Sequence, residues 1–518
     1  SGQLTNITAP DGGGLAFGYA GFLLTTQSWT GSVPGQVSWS YDNDFRVSAV
    51  GVNGVLVSFT YDTDSLLLQA GALSLNRDPL NGLLTGTTLG TITTTHAHNL
   101  FGERQEEAAF AGAAALVQVS YQRDALGRIT TKTETLGGIT DVFDYRYDLA
   151  GRLDEVFENG ASVSQYLYDT NGNRTGGYNG QGAITASYDA QDRLLSYNGR
   201  IYTYTANGEL LTKTENGVTT SFDYDELGNL LQVVVPGGVT VDYLIDGQNR
   251  RIGKKINGVL TQGFLYQDQL KPVAELDGSG NVVARFVYAD KFNVPSIMIK
   301  GGNTYRIVSD HLGSPRLVVD VATGAIVQRM DYDEFGRVIA DTNPGFQPFG
   351  IAGGIYDLHT GLVRFGVRDY DAEVGRWTKK DPILFSGGIN HYVYVGNNPV
   401  NLIDPDGLVN PSFTDVTGGP PLDGLIGSFN DPELEALFIS SGTALISIVP
   451  AVKGAQVCKA ALTPKRIRNI CLGLGFSAAA CTGNFDKLRK VAENIEEVTK
   501  ITNASKPNPT TSSQPPIP

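Results

Sequence analysis

Apolar and polar residues alternate with a period of two along most of the chain up to about residue 400, the mark of strands with one buried face. Val55-Leu56-Val57-Ser58-Phe59-Thr60-Tyr61 is one such run, and Asp62 ends it because short acidic side chains favour turns. The pattern also repeats. WSYDNDFRV (Trp39–Val47) and FTYDTDSLL (Phe59–Leu67) share an aromatic-x-Tyr-Asp-x-Asp core. From Tyr121 the copies sharpen into YQRDALGRI (from Tyr121), YRYDLAGRL (Tyr145), YLYDTNGNR (Tyr166), SYDAQDRLL (Ser187), YTYTANGEL (Tyr202), FDYDELGNL (Phe222) and YLIDGQNRR (Tyr243), with MDYDEFGRV (Met330) further on. Their turns recur about every 20 residues, a spacing that signals a repeat architecture. Each unit predicts a strand, an Asp-x-x-Gly turn in which Gly or Asn takes positive φ, and a second strand. A lone hairpin is marginal, so successive units must pair edge to edge into one long, spiralling antiparallel sheet.

Composition agrees with a mainly β chain: of 518 residues 63 are Gly and 23 Tyr, and only 2 are Met. The length exceeds a single ordinary core. The net charge of -14 argues against a duplex nucleic-acid surface, which needs clustered Lys and Arg. The acidity belongs to the repeats, because residues 409–518 carry one more basic than acidic side chain. The three cysteines, Cys458, Cys471 and Cys481, all lie in that last segment. An odd number without paired spacing is not a disulfide framework; a single bridge such as Cys471 to Cys481 stays open, and reduced thiols are the plainer expectation. The chain opens Ser-Gly without a signal peptide and reads as a piece of a longer protein.

Between Tyr266 and Phe349 the repeat loosens. Asp310-His311-Leu312-Gly313-Ser314 has the residue types of a hydrolytic triad, but neighbours in one turn rarely converge on a substrate. His96 and His98 fall on the same side of a strand and lack a third metal ligand. Neither a metal nor a cofactor is expected.

The most specific stretch follows. Residues 354–378 read GIYDLHTGLVRFGVRDYDAEVGRWT, then come KKDP, GGINHYVYVGNNPVN, and a closing Pro-x4-Asp-Pro-x-Gly-Leu formed by Pro399, Asp404, Pro405, Gly407 and Leu408. The Tyr-Asp-x-x-Gly-Arg units resemble the YD repeats of the Rhs family, shared with insecticidal toxin-complex C proteins and teneurins, and this stretch resembles the Rhs-associated core domain. The resemblance implies three parts: a YD-repeat β-shell wound into a hollow cocoon (1–345), the core that closes it (346–408), and a variable C-terminal cargo (409–518). It further implies an intramolecular aspartic protease that cuts after Leu408, before Val409, with Asp381 and Asp404 as catalytic aspartates and Arg368 in support.

Carboxylates suit that chemistry. Peptide hydrolysis needs one ionised group to activate water and one protonated group to polarise the carbonyl, and two close aspartates supply both because like charges resist double ionisation. The bond to be cut lies in the same chain, so one turnover at high effective concentration suffices. Two features depart from the family pattern: Lys379-Lys380 precedes Asp381, and Asp406 adds a third carboxylate.

Residues 409–518 say less. Ala436–Val452 carries no charge, but its length and its Ser, Gly and Pro interruptions favour a buried helix over a membrane span. Phe485, Leu488, Val491, Ile495 and Val498 predict an amphipathic helix over 484–500, and residues 505–518 have a disordered composition. These features give the expected fold class: a mainly β shell with a small helical tail. Two functions stay open. One is a secreted, self-processing shell that delivers a toxin-like segment, with that segment as enclosed partner and a secretion apparatus, partner shell protein and immunity protein as further partners. The other is a teneurin-like or wall-associated surface protein whose repeats bind protein or carbohydrate.

Overall fold

The repeat sequence dictates hairpins, and hairpins are what the computed structural model contains. It describes residues 2–9 and 12–408. Val409, the cysteines and both expected C-terminal helices therefore lie outside the described residues. Among the described residues, 33 strands form one sheet that runs from Asn6–Thr8 to Val338–Asp341. Each strand pairs antiparallel with the next in sequence, as Ala114–Arg123 does with Ile129–Leu136 and the latter with Ile139–Tyr147.

The two ends of the hairpins use different turn chemistry. At one end Asn-Gly pairs take successive positive φ values, 51° and 81° at Asn159-Gly160 and 49° and 81° at Asn198-Gly199, the combination that matches strand twist in two-residue turns. At the other end sits the Tyr-Asp-x-x-Gly-Arg signature, and each of its letters has a task. Asp148 Oδ1 accepts the backbone N–H of Ala150 (2.9 Å) and of Arg152 (3.0 Å), which closes the turn. Asp148 Oδ2 accepts Arg152 Nε at 2.7 Å. The Arg152 guanidinium then lies 4.6 Å from the ring of Tyr168 in the next repeat, a cation–π contact. The Tyr168 hydroxyl donates back to the carbonyl of Leu153 at 2.7 Å. Asp124, Arg128, Tyr147 and Ile129 reproduce the set one repeat earlier. Asp124→Ala is expected to destabilise the shell by about 1–3 kcal/mol by leaving backbone donors and Arg128 unpaired, read as a lowered unfolding midpoint.

Register shifts recur at the repeat tyrosines, between Arg146 and Tyr147, Leu167 and Tyr168, Ser187 and Tyr188, and Asp223 and Tyr224. A bulge at the same place in each unit bends the sheet repeatedly in one sense and adds twist. The ribbon therefore winds back on itself. Trp29 Nε1 donates to Asp246 Oδ2 (3.1 Å), Thr91 Oγ1 to the Val321 carbonyl (3.1 Å), and Arg316 grips Glu134 through both Nη atoms at 2.8 Å. The face turned inward supplies two large apolar clusters, one around Val156, Leu230 and Val233, the other around Val37, Leu265 and Met298.

After Asp341 the repeat stops. Four short strands, Ile355–Tyr356, Leu362–Phe365, Arg368–Asp371 and Arg376–Trp377, make a separate antiparallel sheet. Phe365, Tyr370, Trp377 and Tyr394 pack as a knot of rings, with centroids 4.3 Å apart for Tyr370 and Tyr394. This small sheet is laid across the Asp-turn rim of the shell. Asn397 Nδ2 donates to the Gly172 carbonyl (2.8 Å), Arg376 Nη2 to the Asp192 carbonyl (2.6 Å), Tyr392 OH to the Gly208 carbonyl (2.8 Å) and Lys379 Nζ to the Gly228 carbonyl (2.7 Å). Successive repeat turns thus present successive carbonyls to one domain. The Asp310-to-Ser314 turn serves the same junction. His311 Nε2 meets the Val400 carbonyl at 2.7 Å, Ser314 Oγ accepts the Ala352 N–H at 3.0 Å, and Asp310 Oδ1 caps its own turn. The three side chains have separate partners and form no triad. His96 hydrogen-bonds within the wall to Thr94 and Arg104.

Candidate functional site

The strand that starts at Arg368 runs into the apolar knot, so its first side chain is forced inside. Arg368 is 2% exposed and its guanidinium carbon lies over the Trp377 indole, 4.1 Å from the ring centroid. One nitrogen of that group, Nη2, touches Asp381 Oδ2 at 2.9 Å and Asp404 Oδ2 at 3.0 Å. Two aspartates 23 positions apart in sequence thus share a single donor atom. Arg368 Nη1 donates to the His391 carbonyl at 3.3 Å, and Nε donates to the Gly407 carbonyl.

Both carboxylates are shut away from water, Asp381 at 2% and Asp404 at 1% exposure. One guanidinium cannot balance two buried carboxylates, so one of them is driven to hold a proton. Burial pushes the Asp381 carboxyl above the usual range, against the pull of Arg368, the backbone N–H of Ile383 and the nearby His391. Burial likewise draws the Arg368 guanidinium below its usual value, opposed by Asp404 and Asp381. Asp381 is further set by its own loop: Oδ1 accepts the Ile383 N–H at 3.0 Å, and its backbone N–H donates to the His391 carbonyl at 3.1 Å. Gly387 leaves the space that the Asp381 carboxylate occupies, for a Cβ there would overlap it.

The Pro-x4-Asp-Pro-x-Gly-Leu segment reaches the same point from the other side. Leu408 N donates to Asp404 Oδ1 and to Asp406 Oδ1, both at 3.1 Å. The Leu408 carbonyl carbon is two bonds from that nitrogen, so the bond to Val409 begins beside the aspartate pair. Two glycines permit this approach. Gly407 (φ +69°) has its Cα against the Phe365 carbonyl and the Arg368 backbone, and Gly366 (φ +42°) against the backbone of Asp406; a side chain at either would collide. Val367 N donates to the Asp406 carbonyl at 3.0 Å and fastens the two loops. Pro399 is buried and Pro405 half-buried.

The structure therefore brings Arg368, Asp381, Asp404, Gly407 and Leu408 into one cluster, with Pro399 and Pro405 in the segment that carries Asp404 to it. Of the two departures from the family pattern, the lysines turn away from the pair, and Asp406 acts on it only through its charge, which, after burial, helps raise the Asp381 carboxyl. Lys379 points to Gly228 in the shell and Lys380 Nζ to Gln191 (3.4 Å), while Asp406 holds the Leu408 amide. Sequence reasoning missed three contributors: Trp377 as the platform of Arg368, Gly387 as clearance for Asp381, and the His391 carbonyl shared by Arg368 and Asp381. The Gly387-Gly388 pair was the available signal, since Gly in a rigid core often marks a close approach. The other two depend on which strands pair.

Residues 1–400 match a family model described as Teneurin YD-shell. Mus musculus Teneurin-3 is 28% identical over 434 residues, 78% of this chain and 16% of that protein. The tRNA nuclease WapA of Bacillus subtilis (strain 168) is 28% identical over 312 residues, 58% of this chain and 11% of that protein. A solved Photorhabdus luminescens Tc holotoxin pore superposes with a TM-score of 0.59 at 15% identity, covering 81% of this chain and 24% of that one, a likeness of fold. The chain thus spans less than a quarter of each of these relatives.

Proposed function

The chain belongs to the teneurin YD-shell family, and from that membership we propose that it is an encapsulating shell that severs its own C-terminal segment, residues 409–518, after Leu408. The observation that carries this reading is the single Arg368 nitrogen held between Asp381 and Asp404, with the Leu408 amide on the second of them.

The chemistry follows from the environment of each group. Asp381, lifted by burial, is the protonated partner and donates to the Leu408 carbonyl oxygen. Asp404, beside Arg368 and the Leu408 amide, is the ionised partner and takes a proton from water as its oxygen adds to the carbonyl carbon. The tetrahedral adduct collapses when the C–N bond to Val409 breaks. The proton on Asp404 passes to the departing amine, the gem-diol proton returns to Asp381, and the products are a Leu408 carboxyl and a free Val409 amine. Water supplies every added atom. Arg368 keeps the two carboxylates at one place and offsets the charge of the ionised one.

Secretion or display at the cell surface suits both families of relatives, and among the described residues no helix is long and apolar enough to cross a membrane. In this reading the released segment is an effector and the shell is its container, with a partner shell protein and a cognate immunity protein as the implied partners. Two toxin-related likenesses, to WapA in sequence and to the Tc holotoxin pore in fold, support it. The teneurin identity favours the second reading, an adhesive surface protein with no toxic cargo. Expression of residues 409–518 alone in bacteria separates the two. Growth arrest in the cytoplasm or the periplasm is expected of an effector, and unimpaired growth in both places would count for adhesion.

A further inference from the structure

A second charged cluster lies where the core sheet meets the shell wall, and proteolysis makes no use of it. A cavity of about 30 Å³ is lined there by Arg250, Arg251, Gln269, Arg364 and Pro405 among others. Three guanidinium groups border it, with two carboxylates to balance them. Asp246 pairs with Arg250 at 2.6 Å, and Asp369 is divided between Arg251 at 2.8 Å and Arg364 at 2.9 Å. Asp357, the other carboxylate acting on Arg251, is already engaged by Lys254 at 3.2 Å and by the Tyr243 hydroxyl at 3.0 Å. Lys379, outside the cavity lining, is a further buried cation near Arg364: burial first, then Arg364, pushes its ammonium down to about 8, against the pull of Asp369 and Asp225.

The donors are unbalanced as well as the charges. Arg251 and Arg364 are each 4% exposed, and each keeps a buried Nε–H with no acceptor. Native interiors rarely leave such groups unmatched, and a buried cation without a counter-charge is more costly still. Arg250 and Arg251 belong to the repeat wall, Arg364 to the core strand Leu362–Phe365. Whatever satisfies these groups therefore also joins the core to the shell.

We propose that this cavity is a binding site for a small monovalent inorganic anion of halide size, which completes the charge balance at the junction of core and shell. Water would satisfy an Nε–H and leave the excess positive charge in place. The space admits roughly one or two water-sized bodies, enough for a halide and too little for a tetrahedral oxyanion. The site is independent of the cleavage reaction and does not require it.

The test is the unfolding midpoint of the full chain in potassium chloride, bromide and gluconate at one ionic strength. Chloride and bromide are expected to raise the midpoint by about 2 °C or more over gluconate. Gln269→Glu, nearly isosteric at an exposed lining position, tethers a carboxylate at the cavity; it should lose most of the halide increment. Broadening of the chloride-35 resonance by the native protein, diminished by Gln269→Glu, reports the ion directly. Equal midpoints in chloride and gluconate, or a halide increment that Gln269→Glu retains in full, would overturn the proposal.

Discussion

Asp404→Asn is expected to leave the protein as one full-length band on a denaturing gel, where the native sequence separates into two fragments that part between Leu408 and Val409. An amide cannot take the proton of the attacking water, and loss of a general base slows such a step by about 10²–10⁴-fold. Asp381→Asn should do the same from the other side, because an amide polarises the Leu408 carbonyl far less than a carboxylic acid. Both replacements preserve size and can still accept from Arg368, so the shell should fold in each. Cleavage should also depend on pH with a definite sign. Asp381 holds its proton at a pH where an exposed aspartate has lost it, because burial raises its pKa. The reaction is therefore sustained above the ordinary carboxylate range and fades as the pH climbs through the raised value. Cell-free product, chased at stepped pH and followed by intact mass, measures this. Two fragments from both Asn variants, or a rate indifferent to pH, would remove the aspartates from the mechanism.

Arg368→Met should have the largest effect on stability. The guanidinium answers two buried carboxylates, the Gly407 and His391 carbonyls and the Trp377 ring. Methionine restores part of the bulk and none of the charge. Breaking a buried ion pair from one side costs about 3–5 kcal/mol, and here the ionised Asp404 loses its cation while the Asp381 carboxyl loses a hydrogen-bond donor. Cleavage should cease with it. The penalty has its own pH signature. Without Arg368 the folded-state pKa of Asp381, already lifted by burial, loses the pull that opposed the rise, so the folded form binds a proton more readily than the unfolded one. Stability is then greatest at acid pH and is lost as pH rises from the unfolded aspartate pKa, about 3.9, through the raised folded value of Asp381. Denaturant unfolding of native and variant chains at acid and neutral pH checks it. A variant equally destabilised at both would mean that packing on Trp377, and not charge, is what Arg368 provides.

The repeat signature shows why some of this was legible in the chain and some was not. Alternation of apolar residues, the Asp-x-x-Gly turns and the spacing of the copies are local properties, and each hairpin follows from them. Asp148 capping its own turn involves residues within four positions. The arginine of the signature had no role in that reading because its ring partner sits in the next repeat, as Arg152 does over Tyr168. The bulges that bend the sheet are equally invisible, since a register shift exists only between two strands. At the junction, the two Asp-Pro pairs stand out in the sequence, and the resemblance to the Rhs-associated core singled out Arg368, Asp381, Asp404 and Leu408. It could not assign Trp377 or Gly387, whose parts depend on the fold of a small sheet around them.

By itself, then, the sequence determined the unit: a strand pair with a set turn type and buried face, repeated clearly to the copy at Tyr243 and again at Met330, followed by a segment with two Asp-Pro pairs. Those are consequences of backbone sterics and side-chain periodicity, which act over a few residues. Tertiary structure alone decided how many cations each buried carboxylate would meet. It gave Asp381 and Asp404 one guanidinium nitrogen between them and Asp369 two arginines to itself. Electrostatic energy in a dry interior depends on distances between residues far apart in sequence, and only the wound sheet and the domain laid on its rim set those distances.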